Sequence, residues 1–476
     1  MQRSKLAVRW LQPVAVMLLV VAIVLAAARW GLSVLLLAVL AMSAVAVVIW
    51  PRQSLYALFA LVPLSIPFSA VMPGLSADFW FPTEPMIALL LVLLLLRLLQ
   101  QRGAWQSGLT KEPIFWAIAL FFACLLISTA ASIMPVVSAK YTLVRLWFMA
   151  VFFYLTYIEL RQQPQHVAYK LWGYVAGMTI VAVYTMLRQN ALGLFDRQVA
   201  QYTCVPFFPD HTSYGAALAI ALPMALGLAR VSRLILSRLL AYAMAAIFAV
   251  ALLLSYTRAA WIGLMLAGGL WLLCKLRMPL RRMLLLGTVG LLMLIVCWPQ
   301  MMRYMQHTEA ESIGGLQHLR SVTNITTDES NVERLNRWSC AWLMFREKPL
   351  LGFGPGTYQF AYAPYQHSRF ITMASTNRGD RGGAHSEYLG MMAECGILST
   401  LAFVLLIAIV LVKLINIAVQ MPTGFNRPLV LAILVAFVSF VTHLFLNNFL
   451  DIDKLAAPFW LAMAVVVVFP ASEQSA

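Results

Sequence analysis

The chain has 476 residues, of which 62% are hydrophobic and 11% are charged, and it carries a net charge of +16. Together with a mean hydropathy of +0.83, this composition excludes an ordinary soluble globular domain. A membrane-spanning helix needs about 20 mostly apolar residues, and stretches of that kind recur along the whole chain. The sequence therefore predicts an all-α, polytopic membrane protein.

About 12 to 14 membrane-spanning helices are expected from these apolar stretches. The candidates are 11–28, 31–49, 54–72, 80–99, 114–132, 142–160, 167–187, 211–229, 239–257, 259–274, 283–299, 386–412, 429–449 and 455–471. Prolines interrupt 54–72. The chain then divides into N-terminal helices (1–204), helices that carry an outer arginine turn (205–299), a large loop (300–384) and C-terminal helices (385–476).

The distribution of Lys and Arg orients these helices. The basic start of the chain resembles a signal peptide, but no convincing cleavage site precedes a soluble domain, so we interpret 11–28 as a retained span. Basic clusters occupy alternate loops: Arg97/Arg102/Lys111, Arg161/Lys170, Arg230/Arg233/Arg238, Lys275/Arg277/Arg281/Arg282 and Lys413/Arg427. Because such clusters face the cytoplasm, both termini are predicted to be cytoplasmic and the 300–384 loop to lie outside. The clusters also explain much of the net charge, and without a soluble basic domain nucleic-acid binding is not expected.

The outer loop contains one ordered segment, 331–346. Trp338, Ala341, Trp342 and Phe345 recur at intervals of three and four, which predicts an amphipathic helix at the membrane interface. Pro349 ends the helix, and the glycine-rich turn 351–358 that follows lets the backbone approach another segment closely. The turn is not a P-loop, since no Gly-Lys-Ser/Thr follows.

Metal and disulfide chemistry are not expected. The six cysteines are scattered singly, without a metal-binding spacing, so no structural disulfide and no cofactor are predicted. An alternative is a divalent cation held by Asp451 and Asp453 at an outer span boundary. Neighbouring carboxylates at such a boundary are more often a solvated turn.

Three elements far apart in the sequence meet the outer boundary of the membrane. His385 closes the polar loop, Arg334 lies on the amphipathic helix, and Arg258 lies between two spans whose other ends carry cytoplasmic basic clusters. A single arginine at this position is usually an interfacial anchor. Three such elements on one side are the arrangement that a site for a lipid-linked anion requires.

These segments resemble the O-antigen ligase and polymerase superfamily of bacterial envelope glycosyltransferases. The resemblance rests on the order and spacing of segments 255–261, 334–338, 348–354, 384–389 and 396–398. It covers roughly residues 205–450, whereas the first 200 residues match only as generic spans. Many members have Asn after the histidine, where this chain has Ser386.

The resemblance implies a metal-independent, inverting transferase that takes a glycan from undecaprenyl diphosphate on the periplasmic face of the inner membrane. Arg258 and Arg334 would clamp the diphosphate, because guanidinium groups bind phosphate oxygens bidentately. His385 would accept the proton of the attacking hydroxyl as a general base. Besides membrane lipids, the partners would be the lipid-linked glycan and an acceptor glycan.

Four further residues are candidates for supporting roles. Arg337 is a possible second clamp, although it could be solvated on the same helix face. His211 lies at an outer boundary, where a capping turn made by Asp210 or Ser213 is the simpler interpretation. Trp338 and Tyr388 flank the principal candidates in sequence.

Two alternatives remain open from the sequence. A polymerase would use the same donor but extend a lipid-linked repeat, whereas a ligase would transfer to lipid A-core. The loop carries nine basic residues against seven acidic ones, which slightly favours the phosphate-rich acceptor of a ligase. A transporter or flippase would also have many spans, but it usually has paired halves and ionisable groups at the bilayer midplane.

Overall fold

The computed structural model describes residues 45–71, 79–100, 108–307, 329–367, 382–422, 424 and 426–469. The predicted span 11–28 and most of 31–49 lie outside the described residues. So do segments 308–328 and 368–381 of the outer loop.

The described chain is almost entirely helical. The helices are α1 (Pro51–Leu61), α2 (Phe68–Val71), α3 (Thr83–Gln100), α4 (Pro113–Ala130), α5 (Pro135–Phe148), α6 (Thr156–Gln162), α7 (Val167–Leu192), α8 (Arg197–Ala200), α9 (His211–Val231), α10 (Ile235–Leu254), α11 (Arg258–Lys275), α12 (Leu280–His307), α13 (Glu329–Glu347), α14 (Tyr358–Ala361), α15 (Glu387–Gln420), α16 (Asn426–His443) and α17 (Asp453–Val468). A π-helical segment, Met149–Leu155, joins α5 to α6. Two short strands, β1 (Ile66–Pro67) and β2 (Trp80–Phe81), pair antiparallel.

Nine helices in the described residues are long and apolar enough to cross a membrane, which confirms an all-α polytopic protein. Each coincides with a predicted span. Two of the other predicted spans differ in form. In 54–72, α1 ends at Leu61 and the chain turns into β1, because prolines cannot continue a helix. At 455–471, α17 has 16 residues and contains Pro458.

The centre of the bundle is α9, which packs against α10, α11 and α16. Its buried face is rich in small side chains, including Ala217, Ala221 and Ala225. Small residues let membrane helices approach closely and gain dispersion contacts. Since α9, α11 and α16 run side by side, the residues at their ends are brought together at the membrane boundary.

The predicted amphipathic helix is present as α13, and its apolar stripe is divided, since Ala341 is buried whereas Trp342 is exposed. The residues that face the protein include Asn336, Cys340 and Met344, whereas Trp342 is 50% exposed. The buried face tolerates polar residues because they have partners; Asn336 Nδ2, for example, donates to Gln366 Oε1 at 3.1 Å. The outward Trp342 and Phe345 rings lie 5.5 Å apart, as expected for a helix whose other face meets an interface.

The glycine-rich turn approaches another backbone closely, as predicted. Gly352 adopts a φ of +69°, and a Cβ there would lie 2.3 Å from the backbone of Glu394. Opposite it, α15 breaks at Gly396, with φ 71° and ψ −175°. Phe353 N–H and Gly354 N–H donate to the carbonyls of residues 393 and 394 at 3.2 and 2.7 Å. The two glycines thus lock the outer loop onto the first turns of α15.

Candidate functional site

One cavity of about 360 Å³ lies between the first turns of α9 and α13, the segment that follows α16 and the segment that precedes α15. Its lining consists of Asp210, His211, Thr212, Arg334, Gly383, His385, Asn447, Asn448 and Phe449. Three residues singled out from the sequence, His211, Arg334 and His385, therefore share one cavity. The lining combines two imidazoles, a guanidinium, two amides, one hydroxyl and the carboxylate of Asp210. Apart from that carboxylate, these groups can hold an anionic, hydroxyl-rich ligand.

The backbone of His385 is in an unusual conformation. Its φ of +50° lies in the left-handed region, which non-glycine residues seldom adopt and which costs of order 1–3 kcal/mol. Trp338 Nε1 donates to the His385 carbonyl at 3.1 Å. Asn448 holds the next residue on both sides, since its Oδ1 accepts from Ser386 N–H and its Nδ2 donates to the Ser386 carbonyl, each at 3.1 Å. The strained turn is thus fixed by two distant segments.

The imidazole of His385 is neutral at neutral pH. Burial lowers its pKa to about 4, assisted by the positive charges of Arg334 and Arg337 and opposed by the carboxylates of Glu333 and Asp210. A neutral imidazole has a lone pair with which it can accept a proton. His385 is therefore in the protonation state that a general base requires.

Ser386 and Tyr388 have structural contacts. Ser386 Oγ accepts from the Leu389 backbone N–H at 3.4 Å and caps α15. The Tyr388 hydroxyl donates to the Val441 carbonyl at 3.1 Å, and its ring lies 4.3 Å from that of Phe445. The Tyr388 side chain thus packs against the end of α16 and does not line the cavity.

Two turns meet at the start of α9. Asp210 Oδ1 accepts from the backbone N–H groups of Thr212 and Ser213 at 2.7 and 2.9 Å, which confirms the expected cap. The hydroxyl of Thr257 donates to the His211 carbonyl at 2.9 Å. Arg258 follows Thr257 as the first residue of α11 and is half-buried. It does not line the 360 Å³ cavity, but its turn is joined directly to the turn that does.

Arg337 is engaged by the protein itself. Its side chain is buried, with 3% exposed, and its Nε pairs with Glu333 Oε1 at 2.7 Å. The same guanidinium donates to the Gly382 carbonyl at 3.3 Å and lies 4.1 Å from the centre of the Tyr362 ring. These contacts tie α13 to the segment that precedes His385, so the geometry fits a supporting role better than direct contact with a ligand.

An ionic group with two buried members, Arg145 and Glu387, lies at the start of α15. Arg145, within the span Pro135–Gln162, pairs with Glu387 and with Asp451, the latter at 3.0 Å. The backbone N–H of Glu387 donates to the carbonyls of Leu444 and Asn447. Removing either Arg145 or Glu387 would leave the other as an uncompensated buried charge, which is costly. The group therefore fixes the first turn of α15 against the segment that follows α16.

The two aspartates of the metal alternative have protein partners. Asp451 belongs to the Arg145 group, and Asp453 Oδ2 accepts from the hydroxyls of Ser65 and Thr83 at 2.8 and 2.6 Å. Lys454 Nζ also lies 3.3 Å from Asp453 Oδ1. Among the described residues there is no group of three or more His, Cys, Asp or Glu side chains that could hold a metal ion.

Sequence reasoning missed Asn447, Asn448 and the burial of Arg145. Each carried a weak signal: two adjacent amides directly after an apolar run, and an arginine inside one. Polar residues at such positions are costly to place and commonly functional. Their meeting near His385 could not be seen, because it depends on how α5, α15 and α16 pack.

Part of the chain is similar to a known protein family. Residues 243–404 match a family model described as O-Antigen ligase, and no curated protein matches the chain. The matched segment contains Arg258, Arg334 and His385, in agreement with the resemblance carried by their motifs. Over these 162 of its 476 residues, the chain is similar to the O-antigen ligase family.

Proposed function

We propose that the protein is an O-antigen ligase-type glycosyltransferase that transfers a glycan from undecaprenyl diphosphate to lipid A-core in the bacterial inner membrane. One observation carries the proposal: a neutral imidazole, His385, and a guanidinium, Arg334, line the same cavity. This pair supplies a base for the acceptor and a cation for the donor diphosphate. The family match to 243–404 supports the same class of reaction.

In the proposed reaction, His385 accepts the proton of the acceptor hydroxyl as that oxygen bonds to the anomeric carbon of the donor glycan. The bond between that carbon and the diphosphate oxygen breaks, and undecaprenyl diphosphate leaves with the bonding electron pair. Because attack and departure occur on opposite faces of the sugar, the anomeric configuration inverts. The reaction has no covalent enzyme intermediate.

The leaving diphosphate is held by Arg334 from the cavity and Arg258 from the adjoining turn. Two guanidinium groups can neutralise the charge that develops on the diphosphate as the glycosidic bond breaks. His211 and Asn447 complete the polar wall as groups that bind sugar hydroxyls. Arg337, Trp338 and the Ser386 cap act as positioning residues for His385, and Tyr388 anchors α15.

The charge distribution supports a periplasmic location for the cavity. Helix α9 begins at the cavity and α11 begins beside it, and they end near Arg230 and Lys275, whereas α16 starts near Arg427 and ends close to the cavity. Since basic residues mark the cytoplasmic side, this arrangement favours a cavity on the periplasmic face and cytoplasmic termini.

The proposal is tested by transfer from undecaprenyl-diphosphate glycan to lipid A-core with purified protein. We expect glycan on lipid A-core with wild type, with or without chelator, and loss of product in His385→Ala and Arg258→Ala. Matched controls are His367→Ala and Arg346→Ala, which change an exposed histidine and an exposed arginine outside the cavity.

Other results would assign the protein differently. Lengthened lipid-linked chains in place of product on lipid A-core would mean a polymerase. Activity abolished by chelator would return the Asp451 and Asp453 metal alternative. Movement of lipid-linked glycan across a bilayer, without transfer to either acceptor, would mean a transporter.

A further inference from the structure

A second, larger cavity lies at the opposite end of the same helices. Its volume is about 720 Å³, and it is enclosed by α9, α10, α11 and α16. The His385 cavity is at the start of α9 and α11, whereas this one lies along their second halves. The two cavities are thus separated along the membrane normal.

The walls of this groove are apolar. Leu222 and Leu226 of α9 face Leu264 of α11 and Val435 of α16 across it. Leu226 is 44% exposed, so the groove opens sideways toward the lipid. Between Leu264 and Lys275 the helix rises about 16 Å, which is about half the thickness of the hydrocarbon core of a bilayer. The groove therefore has the length of one leaflet.

The end of the groove nearest the α11 C terminus is cationic. Arg230, Lys275 and Arg427 all line it, and its described lining contains no Asp or Glu. Arg427 is held in place, since its Nε and Nη2 donate to the carbonyls of Ala418 and Cys274 at 3.1 and 3.3 Å. Lys275 Nζ lies 5.0 Å from the centre of the Trp271 ring. Cations from three helices therefore line the same end of the groove.

We propose that this groove binds an anionic phospholipid, with an acyl chain along the apolar walls and the phosphate headgroup at Arg230, Lys275 and Arg427. Charge complementarity and one-leaflet depth together favour this occupant, because basic pockets between membrane helices bind anionic headgroups. A zwitterionic lipid would fill the same apolar walls but would gain less from the three cations. The site is independent of the donor, whose diphosphate belongs to the other end of the helices.

Two adjacent glycines of α11 provide a matched pair of variants. A Cβ on Gly268 or on Gly269 would meet no atom within 4 Å, so either position accepts a larger side chain. Only Gly268 lines the groove. Gly268→Leu fills the apolar wall, whereas Gly269→Leu makes the same change in composition and helix propensity one residue away.

The experiment titrates delipidated protein in detergent with phosphatidylglycerol or phosphatidylcholine and counts lipid adducts by native mass spectrometry. We expect one preferred phosphatidylglycerol adduct in wild type and in Gly269→Leu, and its loss in Gly268→Leu. In the double variant Arg230→Gln/Lys275→Gln the preference for phosphatidylglycerol should fall about 25-fold, at about fivefold per basic side chain.

The proposal is overturned if wild type binds both lipids equally, or if Gly268→Leu binds phosphatidylglycerol as well as Gly269→Leu does. A change of oligomeric state in Gly268→Leu, without any lipid adduct in wild type, would assign the groove to a second copy of the chain. None of these readouts depends on glycan transfer.

Discussion

The acid limb of the pH–activity profile tests the role of His385 through a residue outside the cavity. Arg337 is one of the two cations that lower the pKa of His385, and its partner Glu333 acts in the opposite direction. Arg337→Gln removes the cation and leaves the Glu333 carboxylate uncompensated. Both effects favour protonated imidazole, so the pKa of His385 should rise in this variant.

The magnitude follows from the environment of the imidazole. An ordinary histidine has a pKa of about 6.5, and His385 has a pKa of about 4. The difference corresponds to about 3 kcal/mol in favour of the neutral form. Burial is the largest cause and persists in the variant, so loss of the Arg337 charge should raise the pKa by about one unit. The wild-type transferase should stay active down to about pH 5, because His385 remains neutral there.

The assay is kcat/KM for glycan transfer between pH 4 and pH 7, normalised to the plateau of each variant. In Arg337→Gln the acid limb should move toward neutral pH by about one unit. Glu333→Gln removes the opposing charge, so its limb should not rise above that of wild type. The double variant Arg337→Gln/Glu333→Gln removes both charges, and its limb should lie between those of the single variants.

Two outcomes would refute this reasoning. An acid limb near pH 6.5 in wild type would show that the titrating group is not the buried imidazole. Identical limbs in the two single variants, both folded, would show that the Arg337 and Glu333 charges do not reach His385.

Three other substitutions probe the turn that carries the imidazole. His385→Gly and His385→Ala should both abolish transfer, but the glycine variant should be the more stable by about 1 kcal/mol in thermal unfolding, because glycine adopts positive φ freely; equal stability would mean that the φ of +50° carries no strain. Asn448→Leu removes both hydrogen bonds to Ser386, at about 1 kcal/mol each, and should lower kcat more than donor affinity in a transfer assay; an unchanged kcat would contradict the positioning role. Gly390→Leu should destabilise the protein by about 1–3 kcal/mol, since a Cβ there would lie 2.7 Å from Asn448 Nδ2; an unchanged melting temperature would argue against this contact.

Local sequence patterns determine the parts of the fold that were predicted correctly. Apolar runs of spanning length gave nine helices that are present in the described residues, because a lipid environment leaves a chain few alternatives to helix. The N-terminal cap of α9 by Asp210 and the close backbone contact at Gly352 were also predictable, since each depends on residues adjacent in sequence. In 54–72, hydropathy suggested a span that prolines interrupt, and α1 indeed ends at Leu61.

Long-range packing determines what the sequence could not show. His385, Arg334 and His211 could be assigned to one membrane boundary from topology, and they do line one cavity. The contact of Asn448 with Ser386 spans 62 positions and depends on the packing of α15 and α16, which no local pattern encodes. For α13, the apolar spacing predicted an amphipathic helix at the membrane interface, but it could not show that the paired Glu333 and Arg337 are buried against the protein.

The hydrogen bonds that hold the His385 turn have a consequence for chimeras between related proteins. The segment that matches the O-antigen ligase family ends at residue 404, whereas Asn448, which grips Ser386 on both sides, lies beyond it, and Asp210 and Arg145 lie before residue 243. A chimera that takes only residues 243–404 from this chain would contain His385 without the residues that position its turn. A functional chimera should therefore also include the start of α9 and the segment that follows α16. Residues in these flanking segments are expected to co-vary with the residues around His385.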